Sequence, residues 1–109
     1  MAKLRNEADY IVLRVLMAGE SYGYAIRRSI RDATGGEVDL RLAAIYDALH
    51  RLLEDGLVEP GPEIVVNGRS RRTYEMTGLG QRVLQERDHV EGQLRGLRPR
   101  PQATSTGSG

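Results

Sequence analysis

The chain has 109 residues, a formal net charge of +1, 39% hydrophobic residues and no cysteine, tryptophan or phenylalanine. Such a length suits one domain whose core is built from Leu, Ile, Val, Met and five tyrosines, and the missing cysteine excludes disulfides, thiolate metal sites and a Cys nucleophile. No apolar run approaches the roughly 18 to 20 residues of a membrane span, and the opening Met1 to Glu7 lacks a signal peptide's apolar core, so a cytoplasmic protein with no membrane partner is expected.

The first predicted helix covers Glu7 to Met17. Leu4, Ala8, Ile11 and Val15 recur at helical spacing, and Leu13, Leu16 and Met17 widen the apolar surface until it nearly encircles the helix. Ala18-Gly19 ends it. Ser21 is the expected N-cap of a second helix reaching Ala33, with Tyr22, Ile26, Ile30 and Ala33 inward and Arg27, Arg28 and Arg31 outward. Those arginines suit either plain solvation or contact with a DNA backbone. Gly23, in the first turn, costs helix stability and points to a close backbone approach.

A third helix, Leu42 to Leu53, carries one apolar stripe of Ile45, Leu49 and Leu52, flanked by Leu42 and Leu53. Its other face presents Ala43, Ala44, Asp47, His50, Arg51 and Glu54, with Tyr46 at the border and Arg41 just before. Small residues at Ala43 and Ala44 let the helix approach a DNA groove closely, and an alanine methyl can meet a thymine methyl. Tyr46 is open to two readings, a donor to phosphate or base and a half-buried aromatic against the following hairpin. Asp47 is an awkward charge on such a face. His50 and His89 have no Asp/His/Glu constellation beside them, so neither metal nor catalytic role is expected, and no cofactor.

After Gly56 the chain turns β-like, and Asn67-Gly68 marks a hairpin. Pro60 and Pro62 cannot donate ladder hydrogen bonds, so the outgoing strand must be an edge or be interrupted there. The return strand, Ser70 to Met76, alternates. Arg69, Arg71 and Arg72 sit beside the turn with no acid among them, although Arg41 to Thr77 as a whole carries five basic and six acidic residues. Thr77 is placed to cap a last helix, Leu79 to Leu97. There Val83, Val90, Leu94 and Leu97 fall seven, four and three apart, an a/d seam with Arg87 in its polar slot. From Arg98 onward the composition is Pro/Ser/Thr/Gly, expected to be disordered. The expected organisation is therefore a mainly α winged helix-turn-helix over residues 1–77, a dimerisation helix over 78–97 and a tail over 98–109.

The blocks Ser21-Tyr22-Gly23-Tyr24-Ala25-Ile26, Ile45-Tyr46-Asp47-Ala48-Leu49-His50-Arg51-Leu52, Glu54-Asp55-Gly56-Leu57-Val58 and Arg71-Arg72-Thr73-Tyr74-Glu75-Met76-Thr77 together resemble the PadR-like transcriptional regulators. The resemblance runs over about residues 8–95. It implies a homodimeric repressor of double-stranded DNA targets, paired through its last helix and often released by a small-molecule effector. It makes Tyr46 the helix-three tyrosine and Arg71 and Arg72 the wing basics. Where the family commonly has hydroxyls before its Leu-Tyr pair, this chain has Arg41-Leu42-Ala43-Ala44, and it has no tryptophan for an aromatic effector sandwich. The candidate DNA-contacting set is Arg41, Ala43, Ala44, Tyr46, His50, Arg51, Arg69, Arg71 and Arg72. The alternative is a winged-helix module that binds a protein and has lost DNA affinity. An enzyme is not expected, because no nucleophile–base pair, metal set or phosphate loop is visible.

Overall fold

The computed structural model describes residues 3–99, so the tail expected to be disordered lies, from residue 100 on, outside the described residues. Its elements are α1 (Glu7–Leu16), α2 (Gly23–Ala33), α3 (Leu42–Glu54), β1 (Val58–Val66), β2 (Arg69–Met76) and α4 (Gly78–Arg95). The Asn6 side chain caps α1 by accepting from the Asp9 N–H at 3.0 Å. Ser21 does not cap α2 as expected. Its backbone pairs instead with Tyr74 of β2 through two hydrogen bonds of 3.1 and 2.8 Å, and Tyr22 takes the cap position without a side-chain bond. That bridge ties the helix-turn-helix to the hairpin.

The core gathers Val12, Leu13 and Leu16 from α1, Ile26 and Ile30 from α2, Ile45, Ala48, Leu49 and Leu52 from α3, then Leu57, Val58 and Leu84. The α3 stripe falls where the periodicity places it. On α1 the buried line is different: Val12, Leu13 and Leu16 are inside, Ala8, Ile11 and Val15 only partly so, and Met17 is exposed. A helix apolar on most of its circumference does not announce which side faces inward, so the period alone could not choose. Ala33 likewise ends up exposed, near the end of α2.

The hairpin is a two-stranded antiparallel ribbon, with Val66 opposite Arg69 and Val58 opposite Met76. Asn67 and Gly68 both have positive φ, +52° and +78°, which is the two-residue turn that matches the natural strand twist. The ladder slips between Pro60 and Glu63, as two prolines lacking N–H groups require. Thr73 Oγ1 donates to the Pro62 carbonyl and Arg72 Nη1 to the Gly61 carbonyl at 2.8 Å, so both freed acceptors are used.

Thr77 caps α4, accepting from the Gly80 N–H at 3.0 Å while donating to the Gly56 carbonyl at 2.7 Å. α4 ends at Arg95, short of Leu97. Its first half is not an appendage, for Leu84 is fully buried among the core residues. Gly80 sits so close to the Leu57 carbonyl that a Cβ there would collide with backbone oxygen. Gly92, by contrast, has open space around it apart from one arginine tip. Gly80→Ala should therefore destabilise the domain by about 1–3 kcal/mol or more through overpacking. Gly92→Ala should stabilise it by about 1 kcal/mol through helix propensity. Urea denaturation of the two variants checks this, and equal effects would show that Gly80 is not tightly seated.

Candidate nucleic-acid interface

α3 presents Ala43, Tyr46, Asp47 and His50 on its solvent face, with Arg41 immediately before its first turn and Ala44 half-buried beside them. The spacing i, i+3, i+4, i+7 lines them along one side of the helix, and the side chains before Tyr46 are too small to keep another surface away. His50 is well exposed, with Nε2 3.6 Å from the Glu54 carboxylate.

Arg51 does not join that face. Its guanidinium grips Asp9 of α1, with Nε at 3.0 and 3.1 Å from the two carboxylate oxygens and Nη2 at 2.7 Å. Asp9 is 1% exposed. A charge so far from water needs this bidentate partner, so Arg51 is held for the fold rather than for a ligand. The pair joins residues 42 positions apart, and no periodicity marks it.

Two of the three hairpin arginines are also engaged. Arg72 Nη2 lies 2.9 Å from Glu63 on the opposite strand, an acid directly across the ladder. Arg71 stacks its guanidinium on the Tyr24 ring of α2, 4.6 Å from the centroid, and its Nε is buried without a hydrogen-bond partner. Arg69, beside the turn, is exposed and has no ion pair among the described residues.

Tyr46 resolves into both of its readings. Its ring lies over Gly23, where a Cβ would fall 2.6 Å from Cζ, which is the close approach expected at that glycine. Yet it keeps 42% of its surface in water. Burial, and secondarily the neighbouring Tyr74, push its hydroxyl pKa up, with Arg71 opposing, so the group stays a hydrogen-bond donor. Tyr24, Tyr46, Tyr74 and Arg71 thus form one cluster at the junction of α2, α3 and the hairpin.

α4 has two characters. Its inner half is strapped to α1: Tyr10 and Arg14 both donate to Asp88, Arg87 lies 4.3 Å from the Tyr10 ring centroid, and Arg87 Nη2 meets Glu7 at 3.2 Å. Arg87, the polar member of the seam, therefore serves the fold. Further out, Val90, Leu94 and Leu97 are 40, 57 and 73% exposed. Leu4, Leu79, Val83 and Val90 line an open, mainly apolar groove of about 470 Å³. Among the described residues no helix is long and apolar enough to cross a membrane, and no three His, Asp or Glu side chains gather as a metal site.

Three helices with the third presenting a solvent face, followed by a two-stranded ribbon bridged back to α2, define a winged helix-turn-helix domain. A model of the Transcriptional regulator PadR-like family matches residues 12–86, and the chain belongs to that family of transcriptional regulators. Uncharacterized protein X of Lysinibacillus sphaericus is 30% identical over 83 residues, 76% of each chain. A PadR family transcription regulator of Clostridium difficile shares the fold with a TM-score of 0.72 at 22% identity, over 83% of this chain and 92% of that one. Bacillus subtilis PadR, solved in complex with operator DNA, matches with a TM-score of 0.64 at 22% identity, over 92% of this chain and 53% of that one.

The Asp9–Arg51 pair generates an asymmetric expectation. Arg51→Ala leaves Asp9 buried and unpaired and should cost about 3 kcal/mol or more. Asp9→Ala should cost less, because the partly exposed Arg51 can swing into water. Melting the two variants side by side tests it; the reverse order would show that the guanidinium, not the carboxylate, is the trapped charge.

Proposed function

We propose that this regulator acts as a homodimeric repressor of double-stranded DNA, laying the Ala43–Tyr46–Asp47–His50 face of α3 in the major groove and setting the hairpin tip on the flanking backbone. The observation that carries this reading is the solvent face of α3 together with Arg69 at the hairpin tip, which has no ion pair among the described residues, in the fold that Bacillus subtilis PadR has with its operator. Arg41 and Arg69 are the cations for phosphate, Tyr46 supplies a neutral donor, and Ala43 and Ala44 give room for the groove edge. Arg71 reaches phosphate only by extending from its stack on Tyr24, and Arg72 only by leaving Glu63. Arg51 stays with Asp9.

Pairing through the outer half of α4 would cover Val90 and Leu94 and present two α3 helices to half-sites about one DNA turn apart. Leu97, past the helix end, is a marginal member of that seam. Because the inner half of α4 belongs to the core, the pairing face is better tested by charge than by truncation.

A second reading, a protein-binding winged helix without DNA affinity, is favoured by how many of its cations are already paired: Arg27 with Asp39, Arg51 with Asp9 and Arg72 with Glu63. A gel shift on the DNA upstream of the protein's own gene, at two salt concentrations, separates the readings. Retention that weakens steeply with salt yet resists competitor supports the repressor, and no retention supports the other. Arg69→Ala should flatten the log K against log salt slope by about 0.9, the share of one neutralised phosphate, while Arg72→Ala should flatten it less. An unchanged slope for Arg69→Ala would remove that residue from the DNA-binding set.

The wild type should have a dimer's mass by light scattering at micromolar concentration, and the Val90→Glu, Leu94→Glu double variant a monomer's, with its melting midpoint no longer rising with concentration. A wild-type monomer would end the dimer proposal.

A further inference from the structure

On the recognition face the only charged side chain between Arg41 and His50 is Asp47, exposed and without an ion-pair partner among the described residues. Its natural helical partner is Arg51, four residues on, because i,i+4 side chains are neighbours. That partner is taken. Arg51 is committed to the buried Asp9 by three hydrogen bonds of 2.7 to 3.1 Å, and Asp47 acts on it less than Asp9 does. The packing of α1 on α3 therefore leaves a bare carboxylate in the second turn of the helix meant for a groove.

A bare carboxylate beside DNA phosphates lowers affinity for every sequence unless it meets a hydrogen-bond donor on a base edge. In the major groove the amino donors are cytosine N4 and adenine N6. Adenine sets its N7 acceptor next to the amino group, against the second carboxylate oxygen. Cytosine offers its donor without that acceptor. Ala43 and Ala44, one turn earlier, leave the groove edge within reach.

We infer that Asp47 is a specificity-determining residue, accepting from the N4 amino group of one cytosine in each half-site and rejecting sites that lack it. This rests on the proposed DNA binding by α3 and names what that face selects. Asp47 is exposed, so substitutions there leave the fold intact.

The test is selection from a random double-stranded library with the full chain, wild type, Asp47→Ala and Asp47→Asn in parallel, with anisotropy on a fixed random duplex at low salt as the companion measurement. Wild type should enrich cytosine at one fixed position per half-site, and replacing that base should weaken binding about tenfold. Asp47→Ala should lose the preference there alone, keep it elsewhere, and bind the random duplex more tightly than wild type. Asp47→Asn should shift the position to adenine, since an amide matches N6 and N7 together. Identical selected sites for all three proteins, with duplex binding retained, would overturn this inference and leave the DNA reading standing. Wild type retaining no duplex even at low salt would overturn both.

Discussion

The grip of Arg51 on Asp9 fixes what the apolar core by itself leaves loose. Burial of Ile45, Leu49 and Leu52 holds α3 against the domain, but hydrophobic contact is nearly non-directional and tolerates rotation about the helix axis. A bidentate guanidinium–carboxylate pair is planar and has one good geometry. Anchoring it from α1, beside the Asn6 cap, sets which residues of α3 look outward. The face Ala43, Tyr46, Asp47 and His50 follows from that setting, and so does the isolation of Asp47.

The wing is tied to this frame at its base rather than along its length. The Ser21–Tyr74 bridge joins the backbone of β2 to the entry of α2, and the tyrosine cluster with Arg71 fills the corner they make. Beyond the slip at Gly61 and Pro62 the stack of Arg71 on Tyr24 ties the ribbon to α2, and the exposed tip at Asn67, Gly68 and Arg69 rests on the ladder. Gly23 closes the corner: with no Cβ, it admits the Tyr46 ring, and a side chain there would push that ring aside.

Much of this was legible in the residues. The α3 stripe, the Asn67-Gly68 turn, the break forced by the prolines, the Thr77 cap and the close approach at Gly23 all follow from local chemistry, and local chemistry is what a sequence displays. The pairing of Arg72 with Glu63 was within reach too, since a two-residue turn fixes the register and counting back from Val66 and Arg69 sets the two opposite each other. The Asp9–Arg51 pair was not, because its partners meet only through packing of helices 42 residues apart. The same limit hid the buried side of α1 and the role of Leu84, where several apolar residues compete and tertiary packing alone decides between them. The candidate DNA set is correspondingly altered in character: Arg51 is tied to Asp9, Arg72 to Glu63, and Arg41 and Arg69 are exposed.

The seating of Gly80 on the Leu57 carbonyl has a mechanical meaning. It makes the start of α4 a fulcrum resting on the strand that leaves α3, while Asp88 and Arg87 act as a stay a few turns along. From Gly80 to Leu94 the helix runs about 21 Å at 1.5 Å per residue, so a tilt of about 10° at the fulcrum swings the far end by nearly 4 Å. Were a bulkier residue to unseat position 80, the displacement would be larger at Leu94 than at the seat itself.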